Sequence, residues 1–377
     1  MILLLLHGMI QAQVRVGAQG TALYYPLLKG KHIGIVANQA SLAGNKNIVD
    51  MLVSDGFDIV RIFSPEHGFR ISGEAGQHIV DNIDSVTGIK VCSLYGKKMK
   101  PDSSDLQSID LILFDLQDVG VRFYTYISTL TYMMEACSES GIPVVLLDRP
   151  NPNGFYVDGP VLEAGYTSFV GLHPVPVVYG MTIGEYAKMI DGEGWLKSTK
   201  KCDLRVIPLE NYTHQTRYAL PVKPSPNLPN STAVNLYPSL CFFEGTNISV
   251  GRGTPFPFQA YGHPDLHYGS FSFTPESIPG ISLHPPMEGK RCLGEDLRKY
   301  YSENPVGSDR IILAWLIKSY HAWKNKSNYF TGYFNKLAGN DTLQKQIKQG
   351  KSEKEIRKSW QPGIEKFMKI RAKYLLY

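Results

Sequence analysis

The sequence predicts an α/β protein: a Rossmann-like parallel-sheet domain followed by a second, smaller, barrel-like α+β domain at the C-terminus. Two observations carry this. Short continuous apolar runs alternate with helix-period segments through roughly the first 150 residues, as strands buried on both faces of a parallel sheet do. Beyond about residue 240 the pattern changes to short strand-like pieces broken by Gly and Pro, closed by helices. The length of 377 residues fits two to three domains of roughly 150 residues each.

The elements follow in chain order. Residues 1–16 open with an apolar run, Met1 to Ile10, then Gln11-Ala12-Gln13. This resembles a signal-peptide remnant without its basic n-region and predicts a periplasmic or secreted protein; a buried first strand is the alternative. Residues 17–160 form the Rossmann-like catalytic domain, continued by part of 161–240, and 241–377 form the α+β auxiliary domain. Strands are predicted over 32–37, 57–63, 89–94, 111–114 and 143–147, each a β-rich apolar run. A helix over 47–54 stops at Gly56, and one over 124–140 stops at Gly141. Residues 174–179 read as a strand, Thr182 as the cap of a helix to 190, and 204–208 as a strand. Four prolines in 221–229 bar a helix or central strand there. Helices are expected over 308–324, 352–360 and 362–376. Ser352 and Glu355 are spaced as a capping box, and Pro362 suits a first helical position.

Composition narrows the function. Hydrophobic residues at 43% and charged residues at 19% describe an ordinary folded chain. A net charge of +5 over this length is too weak for a nucleic-acid binder. No run is apolar for the roughly 18 residues of a membrane span. The five cysteines are widely spaced with no Cys-x-x-Cys, which removes zinc-ribbon and thioredoxin readings and, being odd in number, leaves a free thiol.

In doubly wound sheets the ligand sits at the carboxyl ends of the strands. Three polar loops follow predicted strands: Ser64-Pro-Glu-His-Gly-Phe-Arg70, Asp115-Leu-Gln-Asp-Val-Gly-Val-Arg122 running on to Tyr124 and Tyr126, and Asp148-Arg-Pro-Asn-Pro-Asn-Gly154. Glu66, on a short loop between Pro65 and Gly68, is a candidate general acid; an ion pair with Arg70 or Arg61 is the plainer role. Glu74, between Gly73 and Ala75-Gly76, is a candidate second carboxylate, since glycoside hydrolysis commonly uses two. Asp115 sits at a strand exit. Asp118 is a candidate ligand or a helix cap. Arg122 is suited to a bidentate grip on a carboxylate, and Tyr124 and Tyr126 to stacking on a sugar. Arg149 and Asn151 stand on a loop stiffened by two prolines, where an Asp148–Arg149 surface pair is the alternative. Arg252, in Gly251-Arg-Gly-Thr254, adds a fourth cation, soon after Glu244. A metal site would need His67, His78, Asp115, Asp118 and His173 to converge, and no ligand spacing supports it. Neither dinucleotide nor P-loop glycine fingerprints occur, nor G-x-S-x-G, so no cofactor is expected.

Taken together and in order, the three loops, Gly159-Pro160, Glu244-Gly-Thr-Asn247, Gly251-Arg-Gly-Thr254 and the closing residues 371–377 resemble the DUF1343 family of NamZ-type exo-β-N-acetylmuramidases, over nearly the whole chain after Gly17. The resemblance implies a Rossmann-like domain without a nucleotide and a smaller second domain. The cleft between them would release terminal N-acetylmuramic acid from peptidoglycan fragments. It implies Glu66 as the catalytic residue, with His67, Asp115 or Glu74 assisting. Muramic acid carries a lactyl carboxylate, so a cation among Arg70, Arg122, Arg149 and Arg252 is expected to meet it, with Asp118, Tyr124, Tyr126, Asn151 and Glu244 lining the pocket. Loops over 221–254 are expected to wall it. A non-catalytic muropeptide-binding protein and a metal-dependent cell-wall sugar hydrolase are the competing readings; turnover separates the first and sensitivity to a chelator the second.

Overall fold

The computed structural model describes residues 13–70, 81–303 and 309–377; most of the signal-like segment lies outside them. Seven strands form the main sheet: β1 (Ile33–Ala37), β2 (Ile59–Ser64), β3 (Asn82–Ile83), β4 (Lys90–Ser93), β5 (Leu111–Asp115), β6 (Val144–Leu147) and β7 (Leu204–Ile207). Their spatial order is β3-β4-β2-β1-β5-β6-β7. All neighbours run parallel except the short edge pair β3–β4. Without β3, the six parallel strands follow the doubly wound order in which the chain turns back across its first strand. Every residue of β1, β5 and β6 is buried, which explains why they read as unbroken apolar runs rather than alternating ones.

Register sets the position of the site. Val36 lies opposite Phe63 on one side and Phe114 on the other, Ala37 opposite Asp115, and Ser64 opposite Ser93. The loops after β2, β4 and β5 therefore start at one level, on either side of the crevice above β1.

Helices α1 (Thr21–Leu28), α2 (Ile48–Ser54), α3 (Tyr126–Ser140) and α4 (Ile183–Gly192) belong to this first part. The side chains of Asn47 and Thr182 cap α2 and α4, the latter in a capping box with Glu185, and Gly141 ends α3 at φ 71°. The second part begins with α5 (Ser231–Leu240) and carries an antiparallel sheet, β8 (Ala260–His263), β9 (Phe271–Phe273) and β10 (Cys292–Asp296), with β10 in the middle. Helices α6 (Ala314–Ala322), α7 (Phe334–Ala338), α8 (Thr342–Lys348) and α9 (Glu353–Arg371) close the chain. One apolar cluster runs through both parts, from Leu130 and Tyr186 to Phe242, Phe334 and Trp360.

Three elements depart from the sequence reading. Residues 174–179 make isolated bridges through Val178, to Val121 and Asp158, with no strand alongside to build a ladder. Helix α6 starts late because the amides of Ile311 and Ile312 are taken by the side chains of Asp158 and Ser239. The two terminal helices are one: α9 passes through Pro362, because Ile356, Trp360, Ile364 and Phe367 keep one buried stripe on both sides of it. That packing outweighs the roughly 3 kcal/mol a helical proline costs.

The two parts are locked by Arg122. It is completely buried. Its Nη1 donates to the carbonyls of Pro160 (2.8 Å) and Val175 (2.7 Å), and its Nη2 to those of Leu337 (2.9 Å) and Ala338 (2.8 Å). Those donors are spent on backbone, so Arg122 is not placed to grip a substrate carboxylate. Burial pushes its guanidinium down to about 9. Gly339, at φ 79°, leaves room for it: a Cβ there would lie 2.6 Å from Nη2. Replacing Arg122 by Met strands four carbonyl oxygens inside the protein, and we expect a loss of at least about 3 kcal/mol in a urea unfolding measurement.

Candidate active site

A cavity of about 580 Å³ opens where the carboxyl ends of the strands meet the second part. The turn after β2 brings Glu66 and His67 into its lining. His67 holds φ 76° and Gly68 φ 84°. A left-handed backbone costs a residue with a side chain roughly 1 kcal/mol or more and tends to persist at functional sites. Glu66 is partly exposed. Thr125 donates its hydroxyl to Glu66 Oε2 at 3.0 Å, and Tyr95, just past β4, hydrogen-bonds the same carboxyl through its own hydroxyl. Groups from the loops after β2, β4 and β5 thus converge on one side chain, as their level strand ends dictate.

The opposite wall comes from the second part. Glu244 stands on the 3-10 turn Cys241–Gly245, and its Oε1 accepts from Arg252 Nε at 2.7 Å. The Arg252 guanidinium lies over the Phe258 ring, 5.0 Å from its centroid. Burial would lower Arg252, but Glu244, with Tyr237 and Cys241, offsets this and its affinity for the proton rises. Tyr237, Tyr333 and Lys336 complete this wall, with Lys336 exposed at the rim. The Pro-rich segment adds Ser225, Asn227 and Leu228. It is fixed by Tyr124 and Tyr126, whose hydroxyls both donate to the Pro224 carbonyl, at 2.9 and 3.4 Å. Asn227 donates to the Ile281 carbonyl, while its buried Oδ1 has no partner among the described residues. Ser168 Oγ, also in the lining, is in the same state. Such acceptors cost about 1–3 kcal/mol until a ligand satisfies them.

Of the residues singled out from the sequence, Glu66, His67, Tyr124, Glu244 and Arg252 line this cavity. Glu74 and His78 lie outside the described residues. The others are absent from the lining and do structural work. Arg70 forks between Asp50 and Asp84, with contacts of 2.5 to 2.9 Å, and so anchors the loop carrying Glu66 instead of reaching into the cavity. Arg61 is occupied by the carbonyls of Ser104 and Asp105. Asp115 is buried under Arg149, bound at 2.5 and 2.7 Å; the pair is an internal brace, and neither member meets solvent. Asp118 caps the turn at Gly120 (2.7 Å) and accepts the Tyr179 hydroxyl. Asn151 donates to Met181 and accepts from Asn153, with its amide against Gly120. Tyr126 is buried and receives Asn38 Nδ2 at 2.8 Å. The loop after β6 faces inward because Asp148 is held by Thr182, Gly184 and Tyr377. No group of three or more metal-ligating side chains occurs among the described residues; His173 is stacked on Trp195 instead.

Sequence reasoning passed over Tyr95, Tyr237, Tyr333, Lys336 and Asn227. Tyr95 was accessible to it, since the strand-exit rule applies to β4 as it does to β2. Tyr333 and Lys336 reach the cavity by the docking of α7, which leaves no local trace in the sequence.

A crevice at the carboxyl edge of a doubly wound sheet, closed by a second body that brings its own carboxylate and guanidinium, defines a two-part α/β hydrolase. The chain belongs to the exo-β-N-acetylmuramidase NamZ family. The family's N-terminal domain model matches residues 33–232, and its C-terminal model matches 235–377. It is 39% identical to the peptidoglycan β-N-acetylmuramidase NamZ of Bacillus subtilis (strain 168), over 94% of this chain and 89% of that one. Two crystal structures of DUF1343 family proteins from Bacteroides fragilis NCTC 9343 are similar. One has a TM-score of 0.90 at 46% identity and the other 0.77 at 25%, each covering 97% of this chain and 99% of its own.

Burial raises the carboxyls of Asp118 and Asp148 to about 6 each. A folded-state value above the unfolded one means the native protein binds the proton more tightly. The stability this confers is complete below about pH 4 and is lost as the pH climbs through about 6. Asp118→Asn, neutral throughout, should reduce the fall in unfolding free energy between pH 4 and 7, read from urea denaturation, by up to about 3 kcal/mol. An unchanged slope would mean Asp118 titrates normally in the folded protein.

Proposed function

We propose that this protein is an exo-acting glycosidase that removes terminal N-acetylmuramic acid from peptidoglycan fragments, with Glu66 as the general acid. The observation that carries the reading is Glu66 itself. It is a carboxyl group on a constrained loop, oriented by two hydroxyls, opening into a cavity whose far wall holds a guanidinium. Family membership and the muramidase name of the Bacillus subtilis relative support the substrate class.

The chemistry follows from the placement. Glu66 delivers its proton to the glycosidic oxygen as the bond to the anomeric carbon breaks, so the leaving sugar departs as a neutral alcohol. Thr125 and Tyr95 fix the direction of the carboxyl before and after transfer. Arg252 spends Nε on Glu244. No hydrogen bond to its two terminal nitrogens occurs among the described residues, and they form a fork matched to the lactyl carboxylate. Asn227 Oδ1 and Ser168 Oγ offer acceptors to the sugar's hydroxyl and amide hydrogens. Peptidoglycan fragments arise at the cell wall, so we place the protein in the periplasm or outside the cell, consistent with the apolar run at Met1 to Ile10.

Free muramic acid released from a muramyl-glucosamine disaccharide, measured by chromatography, tests the activity; binding without product would leave a muropeptide-binding protein instead. Glu66→Gln should lower kcat on a chromogenic β-N-acetylmuramide by about a thousandfold with KM little changed. A rate within tenfold of the wild type would remove Glu66 from the role of acid. Arg252→Met should raise KM for the muramide by at least about tenfold and lower kcat/KM for the muramide at least about tenfold more than for the matching glucosaminide, which lacks the lactyl group; any loss through Glu244 is common to both substrates. Equal losses on both substrates would show that Arg252 does not read the lactyl carboxylate.

A further inference from the structure

Hydrolysis of a glycoside by water needs a group to accept the proton of the attacking water, or a nucleophile in its place. Among the described residues, two carboxylates line the cavity, Glu66 and Glu244. Asp115 and Asp118, the other carboxylates near the strand ends, are buried and bonded internally. We propose that Glu244 is the second catalytic carboxylate, taking a proton from the water that attacks the anomeric carbon while Glu66 protonates the leaving oxygen. This rests on the glycosidase reading above.

The geometry is that of two walls. Glu66 comes from the loop after β2 in the first part, and Glu244 from the turn after α5 in the second. Tyr333 lines the same cavity, and after partial burial both Glu244 and Glu66 push its phenol up, so both carboxylates act on one group of the lining. Glu244 is held from outside the reacting region, by Arg252 Nε at 2.7 Å on one oxygen and by Cys241 Sγ at 3.6 Å on the other. A base fixed in this way loses little orientational freedom when it acts. The cavity of about 580 Å³ leaves room for a sugar and a water between the walls.

The step balances. The bond from the anomeric carbon to the leaving oxygen breaks, its electron pair stays on that oxygen, and Glu66 supplies the proton. The water oxygen bonds to the anomeric carbon from the other face and its proton passes to Glu244. One water is consumed, and proton exchange with solvent resets both carboxyls. Direct attack inverts the anomeric centre, so a β-linked substrate yields the α-sugar first.

The test pairs kinetics with stereochemistry. In wild-type protein, proton NMR during the first minutes of turnover should show the α-anomer of muramic acid ahead of mutarotation. The β-anomer first would overturn direct water activation by Glu244. Glu244→Gln keeps an acceptor for Arg252 but cannot take a proton, and should lower kcat by about a hundredfold or more with KM within about threefold. A variant whose kcat stays within tenfold while KM rises would overturn the proposal and leave Glu244 as the residue that positions Arg252. Should circular dichroism show Glu244→Gln unfolded, Glu244→Asp decides. With the charge drawn back by one methylene, a tenfold or greater loss in kcat supports the proposal, and a rate within twofold overturns it. Wild-type protein that releases no muramic acid at all would sink the glycosidase reading instead, before Glu244 is in question.

Discussion

One buried guanidinium, set within the apolar cluster shared by both parts, ties together two of the segments that build the site. Arg122 comes just after the Asp118–Gly120 turn and Val121 and immediately before Phe123, Tyr124 and Thr125, all three of which line the cavity. The carbonyls it holds, Leu337 and Ala338, come immediately after Lys336. This side chain therefore bridges the segment that touches Glu66 and the segment bearing Tyr333 and Lys336, alongside the Glu163–Gly339 backbone bond and the shared apolar cluster. Among the described residues no carboxylate pairs with it; carbonyl dipoles meet its two terminal nitrogens, while its buried Nε has no partner there. A buried cation satisfied only by backbone has no alternative arrangement of comparable energy, because moving either segment leaves both the charge and the oxygens stranded. Lysine could not substitute, having neither the planar fork nor the reach to four acceptors.

The same economy governs the rest of the strand-end rim. Asp115 with Arg149, Asp118 with Tyr179, and Asp148 with Thr182 and Tyr377 are internal bonds. Each joins a strand end to a different later segment, so the polar loops after β5 and β6 act as a stiff floor. Tyr377 is the last residue of the sequence, and its hydroxyl reaches a strand-end aspartate of the first part. The C-terminal helix is thus tied back to the catalytic sheet. Rigid support of this kind is what a general acid requires, since an error of about 1 Å in its placement is costly in rate.

The sheet was readable from the sequence because its strands are buried on both faces. Ile33, Ile35, Leu113 and Leu146 had to be apolar wherever they point, and the pattern follows directly. The loops were readable as a rim for the same reason: polar residues placed at the exits of such strands have few places to go. Which of those residues face a ligand was not readable. Asp115 and Glu66 are equivalent in the sequence, each a carboxylate at a strand exit. They differ because Arg149 lies above the one and open space above the other, and only the assembled fold decides that. Arg122 reads as a carboxylate ligand by residue type, and two of its four carbonyl partners lie over two hundred positions away. Pro362 misled in the opposite direction, since a local rule broke before a long-range apolar stripe.

The cavity wall is divided between the two bodies. The first part contributes Glu66 and the hydroxyls that aim it; the second contributes Arg252, Glu244, Tyr333 and Lys336. Neither half by itself encloses a sugar. Isolated, the strand-end carboxyl would stand in water, where it gains nothing from its surroundings. The guanidinium and its paired glutamate would be an ordinary surface ion pair, worth about 1 kcal/mol or less. Bringing the walls together reduces the water around both groups and strengthens each electrostatic contact across the gap. The apolar cluster continuous from Leu130 to Trp360 supplies the free energy for that union. On the proposed reading, selectivity for a carboxylate-bearing sugar follows from where the second part sets its cation, and the site of bond cleavage from the register of the first part's strands.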